Sequence, residues 1–238
     1  MKFKVPKMRF NLSLRIATAM AVVIVLVVVA IGLVSISYST NMLIKVEEES
    51  IENLAKSGAN RVKAAIDMRL NILQEVAHNE SITTMDWTSQ KSNLVDDVER
   101  LGYLDIAVVT LDGKAHYVLT GETSDLSERD YIKKALSGEP NISNVITSKV
   151  TNSTVIMYAV PINRDGVVVG ALIGRRDGAA LNEITDELGV GQRGYSFIIG
   201  PDSTFFSHPN RDNVIDQVNA YAQIEKDGPL KDFGAELK

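Results

Sequence analysis

Residues 125–177 read DLSERDYIKKALSGEPNISNVITSKVTNSTVIMYAVPINRDGVVVGALIGRRD, and this stretch decides the fold class of the chain. It begins with a short polar segment at 127–137, which is predicted to be a helix that ends at the following glycine. Two apolar runs follow, at 154–162 and 167–174, and the Asp-Gly pair between them is a strong signal for a β-hairpin. The stretch therefore predicts an antiparallel strand pair next to a short helix.

Three more runs ahead of that hairpin extend the same sheet. Residues 104–111 and 115–119 flank a second Asp-Gly pair, and residues 145–150 form another predicted strand. The helices are gathered before and between the strands rather than alternating with them. This order indicates an α+β fold with an antiparallel sheet.

The last part of the chain repeats the order in which the first sheet begins. Residues 179–189 are predicted to form a short helix, runs at 195–199 and 204–207 a third hairpin, and residues 213–226 a helix. We therefore expect the start of a second, similar module. Two strands are too few for independent stability, so the chain is expected to be truncated within this module.

The N-terminal part has the pattern of a membrane anchor. Residues 1–15 carry five positive charges and no acid, and residues 16–37 carry no charge. About 20 apolar residues cross a bilayer as a helix, so 16–37 is predicted to be a transmembrane signal anchor, with a cleaved signal peptide as the alternative. The charge asymmetry predicts a cytoplasmic N-terminus in the cell (inner or plasma) membrane, with residues after about 40 extracytoplasmic.

Two helical stretches follow the predicted span. Residues 40–80 contain no proline and are predicted to form one long helix, and residues 81–101 a second, shorter one. An apolar stripe at helical spacing runs along the long helix: Ile51, Leu54, Gly58, Val62, Ala65, Arg69, Leu73 and Val76. The stripe favours packing on its own domain, and contact with the same helix of a homodimer partner is the alternative; both can hold together.

The composition argues against several classes of function. A net charge of −5 opposes nucleic-acid binding, and the absence of cysteine removes disulfides and thiolate chemistry. The three histidines lack metal-ligand spacing, and no serine has the surroundings of a catalytic nucleophile. A GxGxxG match at 189–194 follows a predicted helix and precedes a strand, the reverse of a dinucleotide site. We predict no enzyme activity, no cofactor and no metal.

Arg129, Tyr131 and Asp177 are the side chains best suited to hold a small ligand. A guanidinium captures a carboxylate, a tyrosine ring forms a wall with a polar tip, and a carboxylate receives a cationic amine. The alternative for Arg129 is a local ion pair with Asp125 or Glu128. The alternative for Asp177 is pairing with the two arginines directly before it.

With these residues in place, the chain from residue 40 onward resembles the double Cache sensor domains of bacterial transmembrane receptors. The segments that carry the resemblance are GYLDIAVVTLDGKAHYV, DLSERDYIKKALSGEPNIS, ISNVITSKVTNSTVIMYAVPI, GVVVGALIGRRDGAALNEIT and GYSFIIGPDSTFFSHPN. The resemblance implies two PAS-like sheets on a long N-terminal helix, with the ligand in the membrane-distal sheet. Methyl-accepting chemotaxis proteins and membrane-bound diguanylate cyclases both use such domains.

Family members that bind amino acids have a pattern of aromatic residues, an arginine and an aspartate. Arg129 and Asp177 stand at the positions of the carboxylate and amine partners, Tyr131 replaces a tryptophan, Ile132 replaces a tyrosine, and a later tyrosine falls near Ile146. Half of the aromatic cage is thus changed, so the resemblance implies a small carboxylate-bearing ligand, an amino acid or an organic acid, without a defined specificity. The predicted ligand-binding residues are Arg129, Tyr131, Asp177, Ile146 and Tyr117.

The predicted organisation has four parts. These are a cytoplasmic N-terminus at 1–15, a transmembrane helix at 16–37, a long helix with the membrane-distal Cache module at 38–188, and the start of a membrane-proximal module at 189–238. The predicted function is the extracytoplasmic small-molecule sensor of a homodimeric chemotaxis receptor. The alternatives are the sensor of a GGDEF-type diguanylate cyclase and a ligandless anchor whose outer domain dimerises.

Overall fold

Residues 12–189 and 194–237 are described by a computed structural model of the chain. The predictions for residues 1–11 and for most of the GxGxxG stretch, at 190–193, lie outside the described residues. The chain divides into two compact units, Met1–Asn53 and Leu54–Lys238.

The first unit holds the apolar part of the helix α1 (Leu12–Ala77). Its large apolar side chains are exposed, with Leu26 at 62% and Val28 at 63%. Among the described residues, α1 is the one helix long and apolar enough to cross a membrane. Exposed Val, Ile and Leu are unfavourable in water and favourable in hydrocarbon, which is the environment that the sequence predicts for residues 16–37.

The second unit contains the remaining elements around a curled sheet. The helices after α1 are α2 (Glu80–Thr83), α3 (Trp87–Arg100), α4 (Asp130–Leu136), α5 (Asn182–Thr185), α6 (Asp212–Ile215), α7 (Ala220–Glu225) and α8 (Lys231–Glu236). The strands are β1 (Asp105–Val109), β2 (Lys114–Tyr117), β3 (Thr123–Asp125), β4 (Asn141–Ile142), β5 (Ile146–Thr147), β6 (Thr154–Arg164), β7 (Val167–Asp177), β8 (Ile198–Ile199) and β9 (Phe205–Ser207).

Strands β1 to β7 form one seven-stranded sheet in the order β3-β2-β1-β7-β6-β4, with β5 also paired to β6. All of these pairings are antiparallel. β8 and β9 form a separate two-stranded sheet. The predicted α+β class with an antiparallel sheet is therefore confirmed, and the boundary predicted at residue 189 stays a prediction.

The seven-stranded sheet is apolar on both faces because its residues alternate between two cores. Ile106, Tyr158 and Leu172 face the core that includes Leu73 and Ala77 of α1; we call this side the α1 face. Ala107, Met157 and Ile173 face a second core, covered by Tyr131, Ile132 and Ala135 of α4; we call this side the α4 face. The predicted packing of the α1 stripe on its own domain is confirmed for the residues of the second unit, Val62, Leu73 and Val76 among them.

Local backbone conformation explains where the predicted elements differ from the observed ones. The stretch at 81–101 is two helices, because Met85 has a φ of 59° and leaves the helical region. The predicted strand at 145–150 stops after Thr147, because the chain turns back through Asn152, whose φ is 51°. The helix predicted at 213–226 is divided into α6 and α7 at Gln217, with a φ of 50°.

Other predictions missed the length or the presence of an element. The helix expected at 179–189 is confined to the single turn of α5, and the short polar strand β3 was not predicted. β6 and β7 are longer than expected, because their pairing runs from the hairpin turn to the partners Val155 and Asp177. The turn between them is the predicted two-residue one, with φ values of 53° at Asp165 and 79° at Gly166.

The tyrosine pair on the α1 face gives a testable alkaline weakness. Burial raises the pKa of Tyr103 to about 12, and the neighbouring Tyr158, at a ring-centroid distance of 6.1 Å, adds to the increase. A tyrosine in the unfolded chain has a pKa of ~10. Between this pKa and that of folded Tyr103 the unfolded chain binds fewer protons than the folded one, so the free energy of unfolding falls as the pH rises. Below pH ~10 both states hold the proton, and the stabilisation is fully present.

We expect the free energy of unfolding of the full chain in detergent to fall by about 2 to 3 kcal/mol between pH ~10 and ~12. Urea titrations at each pH measure this change, and tyrosinate absorbance follows the ionisation. The matched variant Tyr103→Phe should show a smaller loss over the same range. An equal loss in both proteins would mean that Tyr103 titrates like an exposed tyrosine.

Candidate functional site

The helix α4 places two of the predicted site residues, Arg129 and Tyr131, at the edge of the α4 face. Its first turn contains Asp130 and its last turn Lys133 and Lys134, the charge order that favours a helix. Gly138, with a φ of 96°, ends the segment as predicted. Since Tyr131 and Ile132 point into the sheet, the residues just before them lie at the rim of the covered core.

A cleft of about 580 Å³ lies between α4 and the segment that follows it. It is lined by Glu128, Arg129, Asp130, Tyr131, Lys133, Lys134, Asn141, Ile142, Ser143, Asn144 and Ile146. Three of these side chains are cationic and two are anionic, which favours an anionic group in the cleft. Three of the predicted ligand-binding residues, Arg129, Tyr131 and Ile146, thus line one cleft.

Arg129 does not form the ion pair with Asp125 or Glu128 that was the alternative prediction for it. Within the described residues its guanidinium is hydrogen-bonded only through Nη2, which donates to the carbonyl oxygen of Thr147 at 3.2 Å. Glu128 pairs instead with Lys133 at 3.1 Å, and Asp125 accepts from Ser127. Most donors of Arg129 therefore remain available at the cleft.

Tyr131, which lines the cleft, and Tyr117, which does not, belong to one buried cluster, and Ile146 packs against that cluster. Tyr117 is 3% exposed and Tyr131 is 6% exposed. Burial raises the pKa of both phenols, while the guanidinium of Arg129 lowers both. The two rings are therefore neutral at physiological pH and lie within the electrostatic range of Arg129.

Asp177 lies on the α4 face of the sheet, at the edge of that face. It is paired in register with Val155, whose side chain is in the core of the α4 face, and it is exposed. Its Oδ1 accepts from the backbone N–H of Ala179 at 2.8 Å. Neither of the two preceding arginines neutralises it, because Arg176 pairs with Glu183 and Arg175 lies beside Asp105. Within the described residues Asp177 therefore has no ion pair.

The other arginine, Arg175, occupies a position that sequence reasoning did not assign. It is paired in register with Asp105, and the two side chains are 4% and 0% exposed. The guanidinium carbon lies 5.3 Å from the centroid of the Tyr117 ring, so the side chain is on the α4 face. The alternation of side chains along β7 is the signal that places Arg175 and Asp177 on one face and Arg176 on the other.

Asn141 is a second residue that the sequence did not single out. Its Nδ2 donates to the carbonyl oxygens of Tyr131 and Glu139 at 3.1 and 2.9 Å. Its Oδ1 is buried and has no hydrogen-bond partner among the described residues. An acceptor of this kind at a cleft that also contains Arg129 is suited to a ligand that carries both a donor and an anionic group.

In residues 12–189 and 194–237, no group of three His, Asp or Glu side chains is placed to hold a metal ion. The cleft lining includes the guanidinium of Arg129, the amide of Asn141 and the ring of Tyr131. These groups recognise small polar organic molecules.

The sheet, the covering helix and the position of the cleft define a PAS-like sensor domain. A family model described as "Cache domain" matches residues 39–234, and the chain belongs to this family. The solved structures that share this fold include ligand-binding and sensory domains of chemoreceptors.

Solved structures of chemoreceptors share the fold. The ligand-binding domain of Pseudomonas fluorescens CtaA with L-serine is 17% identical, with a TM-score of 0.59 over 73% of this chain and 76% of that one. The sensory domain of Campylobacter jejuni Tlp3 with isoleucine is 15% identical, with a TM-score of 0.54 over 68% and 69%. The ligand-binding domain of Pseudomonas aeruginosa PctC with GABA is 15% identical, with a TM-score of 0.56 over 74% and 81%. No curated protein matches the chain.

Proposed function

We propose that the chain is the extracytoplasmic sensor of a chemotaxis receptor and that it binds a small carboxylate-bearing ligand between α4 and the sheet. The observation that carries this proposal is Arg129, a cation without an ion pair among the described residues, at the edge of a cleft of about 580 Å³. A cavity of this size suits a metabolite, and a guanidinium is the group that best matches carboxylate geometry.

The other residues of the cleft support a ligand with two polar ends. The buried Oδ1 of Asn141, a residue of the cleft lining, has no hydrogen-bond partner among the described residues and suits a cationic amine. Asp177 does not line the cleft; it lies on the same face of the sheet, accepts one backbone hydrogen bond and has no ion pair among the described residues. Serine, isoleucine and GABA, which are bound by the structurally similar domains, each contain a carboxylate and an amine. Tyr131 and Ile146 provide an apolar wall of the cleft, and Tyr117 lies in the same buried cluster as Tyr131.

We place the N-terminus in the cytoplasm and the second compact unit outside the membrane. The basic residues before the apolar part of α1 and the acidic residues after it support this orientation. A ligand that binds one arrangement of α4 and the sheet better than another shifts the population between them. A methyl-accepting coiled coil encoded in the same gene would indicate a chemotaxis output, and a GGDEF motif there would indicate a diguanylate cyclase.

The proposal is tested by the variant Arg129→Gln. Isothermal titration of the full chain in detergent is carried out with L-serine, L-isoleucine, GABA, butyrate and succinate. We expect at least one of them to bind the wild type, and its affinity to fall by about ten- to a hundredfold in Arg129→Gln, because a charge-assisted hydrogen bond to the carboxylate is lost.

The matched control is Arg164→Gln, which removes one positive charge from the exposed end of the β6–β7 hairpin, away from the cleft. Its affinity should equal that of the wild type. Unchanged binding in Arg129→Gln would refute the assignment of the site. Absence of binding by every compound, together with a dimer that survives dilution, would favour the ligandless anchor.

A further inference from the structure

The side chain of Arg175 is a buried cation with unpaired donors on the α4 face. Its side chain is 4% exposed, and its Nε and Nη1 atoms have no hydrogen-bond partner among the described residues. A guanidinium carries five N–H donors and no acceptor. Because buried unpaired donors are unfavourable, the arrangement points to an acceptor that the described residues do not supply.

Asp105 is not that acceptor. Its Oδ2 lies 3.7 Å from Nη2 of Arg175, a distance at which the charges attract without a well-formed hydrogen bond. The carboxylate instead accepts from the backbone N–H groups of Ile106, Leu119 and Thr120, at 2.8, 3.0 and 3.3 Å. Asp105 is thus a positioning residue: it neutralises Arg175 and leaves the donors of Arg175 available.

Arg175 and Arg129 act on the same aromatic pair. The guanidinium carbon of Arg175 lies 5.3 Å from the centroid of the Tyr117 ring, and Tyr117 shares a buried cluster with Tyr131. Burial raises the pKa of Tyr117, and Arg175 and Arg129 both lower it, so both cations are in electrostatic range of this ring. Two guanidinium groups therefore lie near one pair of rings, one at the cleft and one inside.

We propose that Arg175 is a second anion-binding group of the ligand site and that the ligand is a small dicarboxylate, a class that includes the acidic amino acids. This inference rests on the proposed function, because it assigns the first carboxylate to Arg129. The second carboxylate enters between α4 and the sheet and accepts hydrogen bonds from the unpaired donors of Arg175. No existing hydrogen bond of that side chain has to break.

The same donors discriminate against monocarboxylates. A ligand of equal length with a methyl group at its far end would leave Nε and Nη1 of Arg175 buried without a partner. A site built to satisfy a polar group rejects an analogue that lacks the matching atom much more strongly than an apolar pocket rejects one methylene. The discrimination should therefore depend on Arg175, while binding of either class depends on Arg129.

The test compares acids in pairs that differ only at the far end: succinate with butyrate, glutarate with valerate, and L-glutamate with L-norvaline. Each is titrated calorimetrically into the full chain in detergent. In the wild type we expect the best dicarboxylate to bind about ten- to a hundredfold more tightly than its monocarboxylate partner. Arg175→Gln should bring that ratio close to one and leave the monocarboxylate affinity as it was.

Two further variants control for misfolding, since Arg175→Gln leaves Asp105 without its counter-charge. Arg175→Lys keeps the charge beside Asp105 but not the planar donor fork, and the double variant Asp105→Asn with Arg175→Gln removes both charges. Both should fold, as judged by near-ultraviolet circular dichroism, and both should lose most of the preference for dicarboxylates. Arg164→Gln should keep the wild-type ratio.

The outcomes separate this inference from the proposed function. Equal binding of both acids of every pair by the wild type, or a preference that persists in Arg175→Gln, would overturn the role of Arg175 and leave the carboxylate site at Arg129 standing. Failure of every acid to bind the wild type would overturn both. Loss of the preference in Arg175→Gln, together with a ten- to hundredfold fall in the affinity for both classes of acid in Arg129→Gln, would support both.

Discussion

Replacing Asp105 by alanine should destabilise the second compact unit by about 3 to 5 kcal/mol, because it leaves the buried charge of Arg175 without a counter-charge. The variant also deprives three backbone N–H groups of their acceptor. With total stabilities of about 5 to 15 kcal/mol, this is a large part of what holds a domain together. Thermal unfolding of the full chain in detergent, without added ligand, should show a fall in Tm of roughly 10 °C.

A double-mutant cycle tests the reason for this loss. Asp105→Ala with Arg175→Met removes both charges, and we expect the double variant to be more stable than Asp105→Ala alone. Asp105→Asn should lie between the wild type and Asp105→Ala, because it keeps one carbonyl acceptor but no charge. The stability losses of Asp105→Ala and Arg175→Met, each measured alone, are compared with that of the double variant. If the two losses add up to the loss of the double variant, the charges 3.7 Å apart are not coupled, and the loss in Asp105→Ala comes from the backbone N–H groups alone.

The substitution Gly113→Ala should lower the free energy of unfolding by about 2 to 4 kcal/mol, through strain in the left-handed region and a steric clash. Gly113 has a φ of 83°, and an added Cβ would lie 2.5 Å from the Cα of Ser127. The carbonyl oxygen of Gly113 accepts from Leu126 at 2.9 Å, a contact that ties the segment before α4 to the β1–β2 hairpin. The clash therefore also disturbs the residues that position Arg129.

Gly121→Ala is the matched control for Gly113→Ala. Gly121 has a φ of 69°, but an added Cβ there would meet no atom within 4 Å. Its substitution should cost only about 1 kcal/mol, the strain of the left-handed conformation. Chemical denaturation of both variants gives the difference, and equal losses would show that the close approach of Ser127 is not maintained in solution.

Much of the sheet could be predicted because its signals are local. The Asp165-Gly166 pair forms a two-residue turn since both residues adopt positive φ, and the apolar runs around it are long enough to identify strands. The breaks at Met85 and Gln217 could not be predicted in the same way. Neither residue favours positive φ by itself, so the surrounding structure must select it there.

The sequence predicted only some of the residues of the candidate site. Arg129 and Tyr131 were identified from their chemistry and a family pattern, and Ile146 from that pattern alone; all three line one cleft. Tyr117 and Asp177, which were also predicted, do not line it. Asp105 and Arg175 are far apart in sequence, and only the register of β1 against β7 brings them together. Asn141 was missed because its unpaired Oδ1 depends on how α4 covers the sheet.

The sequence by itself determined the apolar helix, the α+β class, the hairpin between β6 and β7 and the family, because each depends on residues that are neighbours in the chain. It also left several possible partners for five charged residues: Asp125, Arg129, Arg175, Arg176 and Asp177. Only the tertiary structure decided among them: Arg176 pairs with Glu183, Arg175 faces Tyr117 beside Asp105, and Arg129 and Asp177 have no ion pair among the described residues. The reason is physical, since the pairing of buried charges is set by strand register and by which face a side chain takes, and both are properties of the assembled sheet.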